Sequence, residues 1–304
     1  MDLHGDANIL SASRRTDIPA FHGRWLTERI RAGWCEVRHP FTGQTRRVSL
    51  LRSDVAGWLF WSRHYLPFMP VLENLFAEDH RFLCQFTING FPRVLEPRVP
   101  EVEEAVGAAH RLRRRFGPVV MWRYDPILLA DATPPEWHRR HFARLAAMME
   151  GASEVCTVSI PTIYRKTERN MAAAERQDTG ARLWRPGVDF ATEDLHGLLR
   201  DLAGEASERG MQLQVCCGPQ WVSEMEGVGK AACMDWPHLR GLLERDGLPI
   251  PEKAPRRRAT RKGCACWASV DIGRYNSCAH GCAYCYAVDN PAGVVLDGQS
   301  PAGM

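Results

Sequence analysis

The chain has 304 residues, 45% of them apolar and 25% charged, the profile of a water-soluble folded protein with room for one large domain or two ordinary ones. No apolar run approaches the roughly 20 residues of a membrane helix, and the opening Met-Asp-Leu-His-Gly-Asp lacks the basic and then apolar regions of a secretory leader, so the expected location is cytoplasmic. The 39 basic residues nearly balance the 36 acidic ones, and a net charge of +3 argues neither for nor against a polyanionic partner.

In chain order, residues 8–12 read as a short strand and 21–32 as a helix. Residues 58–61 and 82–88 read as buried strands. A helix over 102–115 follows, with Val102, Val106, Ala109 and Leu112 on one face. Residues 119–122 form a strand, 135–149 a helix and 155–160 a strand. Residues 195–208 form a helix that buries Leu195, Leu198, Leu199 and Leu202 and stops at Gly210. A strand at 213–216, a helix at 237–244 and a short strand at 268–272 complete the series. Strands that alternate with helices imply parallel β-α units. The expected fold is therefore an α/β (β/α) TIM-like barrel, closed or partial, with a doubly wound sheet as the alternative. No Gly-x-Gly-x-x-Gly turn supports a dinucleotide fold.

Three regions are expected: a barrel body over 1–248, a linker over 249–262, and a cysteine-rich segment over 263–304 that completes the barrel. The linker is rich in proline and arginine, with Arg256, Arg257, Arg258, Arg261 and Lys262 close together. It reads as a solvated tether, and phosphate binding to a nucleic acid is the weaker alternative. The tail after Asp289 is rich in glycine and proline and is expected to fray.

Eleven cysteines are many for a cytoplasmic chain, where disulfides are rare, so metal or redox chemistry explains them better. Cys35, Cys84 and Cys156 are scattered, whereas the other eight lie between Cys216 and Cys285. The segment Cys278-Ala-His-Gly-Cys282-Ala-Tyr-Cys285 gathers three thiolates on one loop. Soft anionic thiolates suit an iron–sulfur cluster, and three ligands on a four-iron cluster leave one iron open. A zinc site is the alternative, although zinc more often takes paired C-x2-C knuckles.

This loop resembles the C-x3-C-x-aromatic-C signature of the radical S-adenosylmethionine superfamily, with Tyr284 in the aromatic position. The resemblance implies a [4Fe-4S] cluster on Cys278, Cys282 and Cys285. It implies S-adenosylmethionine bound at the open iron, with Tyr284 beside the adenine, and reductive cleavage to a 5′-deoxyadenosyl radical. It also implies an electron donor such as flavodoxin or ferredoxin, and sensitivity to oxygen. In that superfamily the signature follows the first barrel strand, whereas here it follows the last, which implies a circularly permuted order. No clear Gly-Gly-Glu segment follows the loop, so the residues that bind the methionine are not carried over. The whole chain also resembles an uncharacterised bacterial family known only as a domain of unknown function. The resembling stretches are residues 11–20, 122–128 and 269–275 with the cysteine loop after them.

Cys216 and Cys217 end a predicted strand, Cys233 follows, and Cys264 and Cys266 form a C-x-C. A second [4Fe-4S] cluster on one of Cys216 or Cys217 plus Cys233, Cys264 and Cys266 is one reading. Ordinary small buried residues are the other. Candidate catalytic residues at predicted strand ends are Arg15, Asp17, Arg123 and Asp125, with structural ion pairs as the alternative for each. Arg14 suits a carboxylate, that of methionine or of an acidic substrate. Trp61 suits the face of a cofactor ring, or the core. Gln85 and Thr87 alternate with apolar neighbours and are expected to point into the barrel, and Lys166, Arg169 and Asn170 read mainly as a solvated face.

The leading expectation is a radical S-adenosylmethionine-like enzyme of unknown substrate. The alternatives are a [4Fe-4S] electron-transfer or binding protein, and a zinc-stabilised protein associated with nucleic acid.

Overall fold

The computed structural model describes residues 8–176, 193–218, 220–259, 261 and 263–294. Lys262, the N-terminal seven residues and most of the glycine- and proline-rich tail lie outside the described residues.

The chain opens with β1 (Asn8–Ala12), α1 (Ile18–Phe21) and α2 (Gly23–Ala32). Asp17 caps α1 by accepting from the backbone N–H of Ala20 at 2.9 Å. Gly33, at a positive φ of 77°, ends α2 in the left-handed conformation that favours glycine. An antiparallel hairpin follows, β2 (Trp34–Arg38) with β3 (Thr45–Ser49). Then come β4 (Val55–Ser62), α3 (Met69–Ala77), β5 (Phe82–Thr87), α4 (Val102–Phe116), β6 (Val120–Tyr124) and α5 (Pro135–Met149). The glutamates of the first turn of α4 and the arginines of its last turn both complement the helix dipole. The series continues through β7 (Val155–Ser159), α6 (Arg165–Glu175), α7 (Glu193–Glu208), β8 (Gln212–Cys216), β9 (Val228–Lys230), α8 (Trp236–Arg245) and β10 (Val270–Asp271).

Eight strands form one parallel sheet in the order β10-β1-β4-β5-β6-β7-β8-β9, flanked by helices. β4 is buried at every position except the half-buried Trp61, as a strand covered on both faces must be. Among the described residues no strand ladder joins the two edges, β9 and β10. The segments beside them are linked at Met234, whose carbonyl accepts from the Trp267 N–H at 3.1 Å. α8 lies at the N-terminal ends of the strands: Leu239 fills the space beside Gly57, and the His238 ring donates to the Pro118 carbonyl at 2.7 Å.

β1 is the register key. Leu10 pairs with Val270 on one side and Trp58 on the other, and Ser11 pairs with Asp271 and Leu59. The last strand of the chain thus lies in parallel beside the first. Two strand ends, more than 250 residues apart in sequence, are thereby set side by side.

Two of the buried histidines, His80 and His138, sit among core aromatic residues. The Trp58 indole N–H points at His80 Nδ1 at 3.2 Å. His138 Nε2 donates to the Leu128 carbonyl at 3.0 Å, and its Nδ1 accepts from the Tyr124 hydroxyl at 2.7 Å. Burial holds both rings near 4 in the fold, against an ordinary value of 6.5. The unfolded chain therefore takes up protons that the fold refuses as pH falls from about 6.5 to about 4. Stability is full above that window and falls through it, by roughly 2 kcal/mol per histidine at pH 5. Urea unfolding at pH 7 and pH 5 should show this loss, and His138→Gln should shrink it. An unchanged pH slope in that variant would contradict the assignment.

Candidate functional site

The carboxyl ends of the strands, where ligands bind in parallel α/β sheets, carry two groups of cysteines joined by a polar chain. Asp271 of β10 organises the first. It is buried and accepts from the hydroxyls of Ser11 and Ser13 at 3.2 and 2.7 Å, and from the N–H groups of Arg14 and Gly273 at 2.9 and 3.0 Å. The guanidinium groups of Arg14 and Arg15 lie 3.6 and 3.9 Å from the same carboxylate. Both arginines remain partly exposed. Gly273 packs directly on Ser13, leaving no space for a Cβ.

The cysteine loop leaves β10 and docks on the segment after β5. The Arg98 N–H donates to the His280 carbonyl at 3.2 Å, the Arg98 side chain to Ala279 O at 2.6 Å, and the Ala283 N–H to Leu95 O at 2.9 Å. Gly281 has a positive φ of 79°, and a Cβ there would press on the Arg98 guanidinium. Cys282 is buried, Cys278 and Cys285 are half-buried, and all three are free thiols. Burial pushes all three up, Cys282 to about 12; Asp17 adds to the rise at Cys278, whereas Arg63 works against it at Cys282 and Cys285. The donor set is soft, uncrossed by disulfides and without a hard ligand, which fits a thiolate-bound metal centre. Among the described residues no group of three or more His, Cys, Asp and Glu side chains is already spaced around a single ion.

Asp17 holds this loop in place. It is buried and accepts from His280 Nε2 at 2.7 Å and from the Arg63 N–H at 2.9 Å, in addition to capping α1. Burial works against its charge, but His280 and the other donors more than compensate and keep it below the usual carboxylate range. With its oxygens so engaged, Asp17 is placed as an anchor of the loop. Tyr284 is tied as firmly: its hydroxyl donates to Glu96 and accepts from Arg63 at 2.5 Å and from Asn89 at 3.0 Å. Arg63 and Glu96 pair at 2.6 Å.

Asn89 continues the chain to β6, where its Oδ1 accepts from the Asp125 N–H at 2.8 Å. Asp125 accepts from Ser159 and pairs with Arg123. Arg123 is buried and lies 5.1 Å from the Trp61 ring centre. It donates to Gln85 Oε1 at 3.2 Å and to Cys233 Sγ at 3.0 Å. Trp61, half-buried, donates to the Ser11 hydroxyl at 3.1 Å. Gln85 is buried and donates to the Cys233 carbonyl at 2.8 Å, whereas Thr87 is half-buried.

The second cysteine group lies at the end of β8. Cys233 Sγ is 3.4 Å from Cys216 Sγ, which is 3.7 Å from Cys217 Sγ. Cys233 also hydrogen-bonds Cys266, which in turn interacts with Cys264. Hydrogen bonds from Cys217 and Cys233 lower Cys216, and one from Cys233 lowers Cys266. Cys35, Cys84 and Cys156, by contrast, are separate core thiols, raised by burial.

Several of the charged residues expected at the surface are exposed or half-exposed and also make defined contacts. Lys166 and Arg169 of α6 clamp Asp289 at the end of the cysteine loop, at 3.0 and 2.8 Å. The basic linker folds back: Arg257 stacks on Trp267 at 4.1 Å, the Arg258 N–H donates to Cys266 O at 2.9 Å, and Arg261 reaches Cys216 Sγ at 3.9 Å. Sequence reasoning missed Asp271, His280, Glu96 and Asn89 as site residues. Asp271, in the strand that leads into the loop, and His280, within the loop itself, carried a local signal, whereas Glu96 and Asn89 carried none.

No helix among the described residues is long and apolar enough to cross a membrane. No curated protein matches the chain. Two solved structures overlap it weakly. One concerns the tandem GH20 catalytic modules of the pneumococcal exo-β-D-N-acetylglucosaminidase StrH, at 9% identity and a TM-score of 0.26, covering 80% of this chain and 64% of that one. The other concerns inhibition of the pneumococcal virulence factor StrH, at 11% identity and a TM-score of 0.25, covering 80% and 63%. The chain thus spans under two thirds of each, and the likeness carries no argument. The family model for a domain of unknown function, DUF1848, matches residues 9–287, and the chain belongs to that family.

Proposed function

We propose that this protein is an iron–sulfur enzyme that cleaves S-adenosylmethionine reductively, using a cluster held by Cys278, Cys282 and Cys285. One observation carries the reading: the C-x3-C-x-aromatic-C loop leaves the carboxyl end of β10, and β10 pairs in parallel with β1. On this reading the last strand takes the part that the first strand has in the radical enzymes. We read the sheet accordingly as a partial, circularly permuted barrel. When bound, a four-iron cluster supplies an iron without a protein ligand and an electron for breaking the sulfonium bond.

The chain's own residues prepare that place. Asp17 fixes the loop through His280 and, with Glu96 and Arg63, holds Tyr284 at its edge. Arg14 and Arg15, positioned by Asp271 and partly exposed, suit a carboxylate such as that of the methionine moiety. Asp125 is held by Arg123 and Ser159 at the end of β6 and suits ribose hydroxyls or a substrate proton. The electron comes from an external reductant of the flavodoxin or ferredoxin kind. Anaerobic protein reduced with dithionite should convert S-adenosylmethionine to 5′-deoxyadenosine and methionine. Iron- and sulfide-loaded protein that yields no 5′-deoxyadenosine would reject the reading.

A further inference from the structure

Of the eight cysteines outside the terminal loop, five meet at one place, and the geometry points to a second iron–sulfur centre there: a four-iron cluster on Cys216, Cys233, Cys264 and Cys266, flanked by Arg123 and Arg261. This centre stands independently of the reading of the 278–285 loop.

Three remote segments bring the sulfurs together. Their contacts run in one line, from Cys217 through Cys216, Cys233 and Cys266 to Cys264. Two backbone features serve that meeting. Neighbours on a strand point to opposite faces, so Cys216 and Cys217 reach a sulfur separation of 3.7 Å only because the chain leaves the strand conformation. Cys217 sits at a positive φ of 55°, unfavourable for a residue with a Cβ. Gly263, also at positive φ, has its Cα so close to this turn that a Cβ would stand 3.2 Å from the Gly218 carbonyl.

Each of the four sulfurs also has an N–H donor aimed at it. The Met234 N–H reaches Cys266 at 3.5 Å and the Cys266 N–H reaches Cys264 at 3.4 Å. Arg123 reaches Cys233 at 3.0 Å and Arg261 reaches Cys216 at 3.9 Å. A buried neutral thiol packs as a small hydrophobe and needs no such donors, whereas a thiolate does. Loading the centre removes a proton from each of four thiols. The four thiolates meet the two positive charges of an oxidised cubane, and the two guanidinium groups offset the negative charge left over. Cys217, whose sulfur lies against Cys216 and Arg261, is the fifth sulfur and not a ligand.

Iron is favoured over zinc by the ligand pattern and the place. An adjacent pair, a single cysteine and a C-x-C contain none of the C-x2-4-C knuckles of structural zinc. The group also sits at the carboxyl ends of the strands, where Arg123 joins it to Asp125 and so to the Tyr284 network.

The test uses the full chain with Cys278, Cys282 and Cys285 all replaced by serine, reconstituted anaerobically with ferrous iron and sulfide. About four iron and four sulfide per chain are expected, against about eight in the unsubstituted chain. Adding Cys233→Ser should remove them, and adding Cys217→Ser should leave them. Circular dichroism checks that the variants fold. An unsubstituted chain with four iron whose triple variant keeps all four rejects the terminal loop and upholds this centre. A triple variant that holds no iron and sulfide while the unsubstituted chain holds four overturns the centre, as does iron that survives Cys233→Ser or one zinc per chain in place of iron.

Discussion

Cys282→Ala is expected to reduce 5′-deoxyadenosine formation to background while leaving the sheet folded. Cys282 is the buried member of the triad, and two remaining thiols do not hold a four-iron cluster in place. Removing one small side chain costs the fold only about 1 kcal/mol, so loss of product and loss of structure are separable. The variant should keep its circular dichroism and its unfolding midpoint within a few degrees. Product formed at the normal rate would show that the triad is not the reacting site.

Glu96→Ala should produce the largest loss of stability among the site variants. Glu96 and Arg63 form a buried ion pair at 2.6 Å, with side-chain exposures of 2% and 12%. Burial opposes the Arg63 charge, and Glu96 is the first group to restore it. Deleting the carboxylate strands that guanidinium and deprives the Tyr284 hydroxyl of its acceptor. Breaking a buried pair from one side costs about 3–5 kcal/mol, which urea unfolding would measure. Glu96→Gln, which keeps an acceptor for Tyr284 but not the charge, should fall between. A loss under about 1 kcal/mol for the alanine variant would mean that water reaches Arg63.

Much of the fold is legible in the sequence because burial leaves long apolar signatures. The strands at Val55–Ser62 and Phe82–Thr87 and the helices at Val102–Phe116 and Pro135–Met149 follow their periodicities to within a few residues. The β2–β3 hairpin escapes such reading because β3, Thr-Arg-Arg-Val-Ser, is largely exposed and carries a single buried residue. β9 and β10 have only three and two residues, too short for any pattern. The sheet also lacks the β9-to-β10 ladder that a fully closed barrel requires among the described residues.

The site divides along the same line. Cysteine spacing is a local signal, and both groups of thiols were visible from it. The partners that hold them were not. His280 pairs with Asp17 across 263 positions, and Tyr284 with Glu96 across 188, and nothing local in either member announces the other. The same limit explains Asp17. A carboxylate at a strand end reads as reactive, yet here its oxygens accept from a helix N-terminus, a backbone N–H and a histidine. The arginine-rich linker reads as a solvated run and its described arginines are exposed, yet the contacts of Arg257 with Trp267 and of Arg261 with Cys216 have no local signal.

The most direct measurement is the electron paramagnetic resonance spectrum of the anaerobic, dithionite-reduced chain with and without S-adenosylmethionine, recorded on the Cys233→Ser variant so that only the terminal loop contributes. A changed spectrum on adding S-adenosylmethionine, absent when Cys278, Cys282 and Cys285 are replaced, is the predicted result. A cluster signal that stays the same with S-adenosylmethionine present would contradict an open iron at this loop.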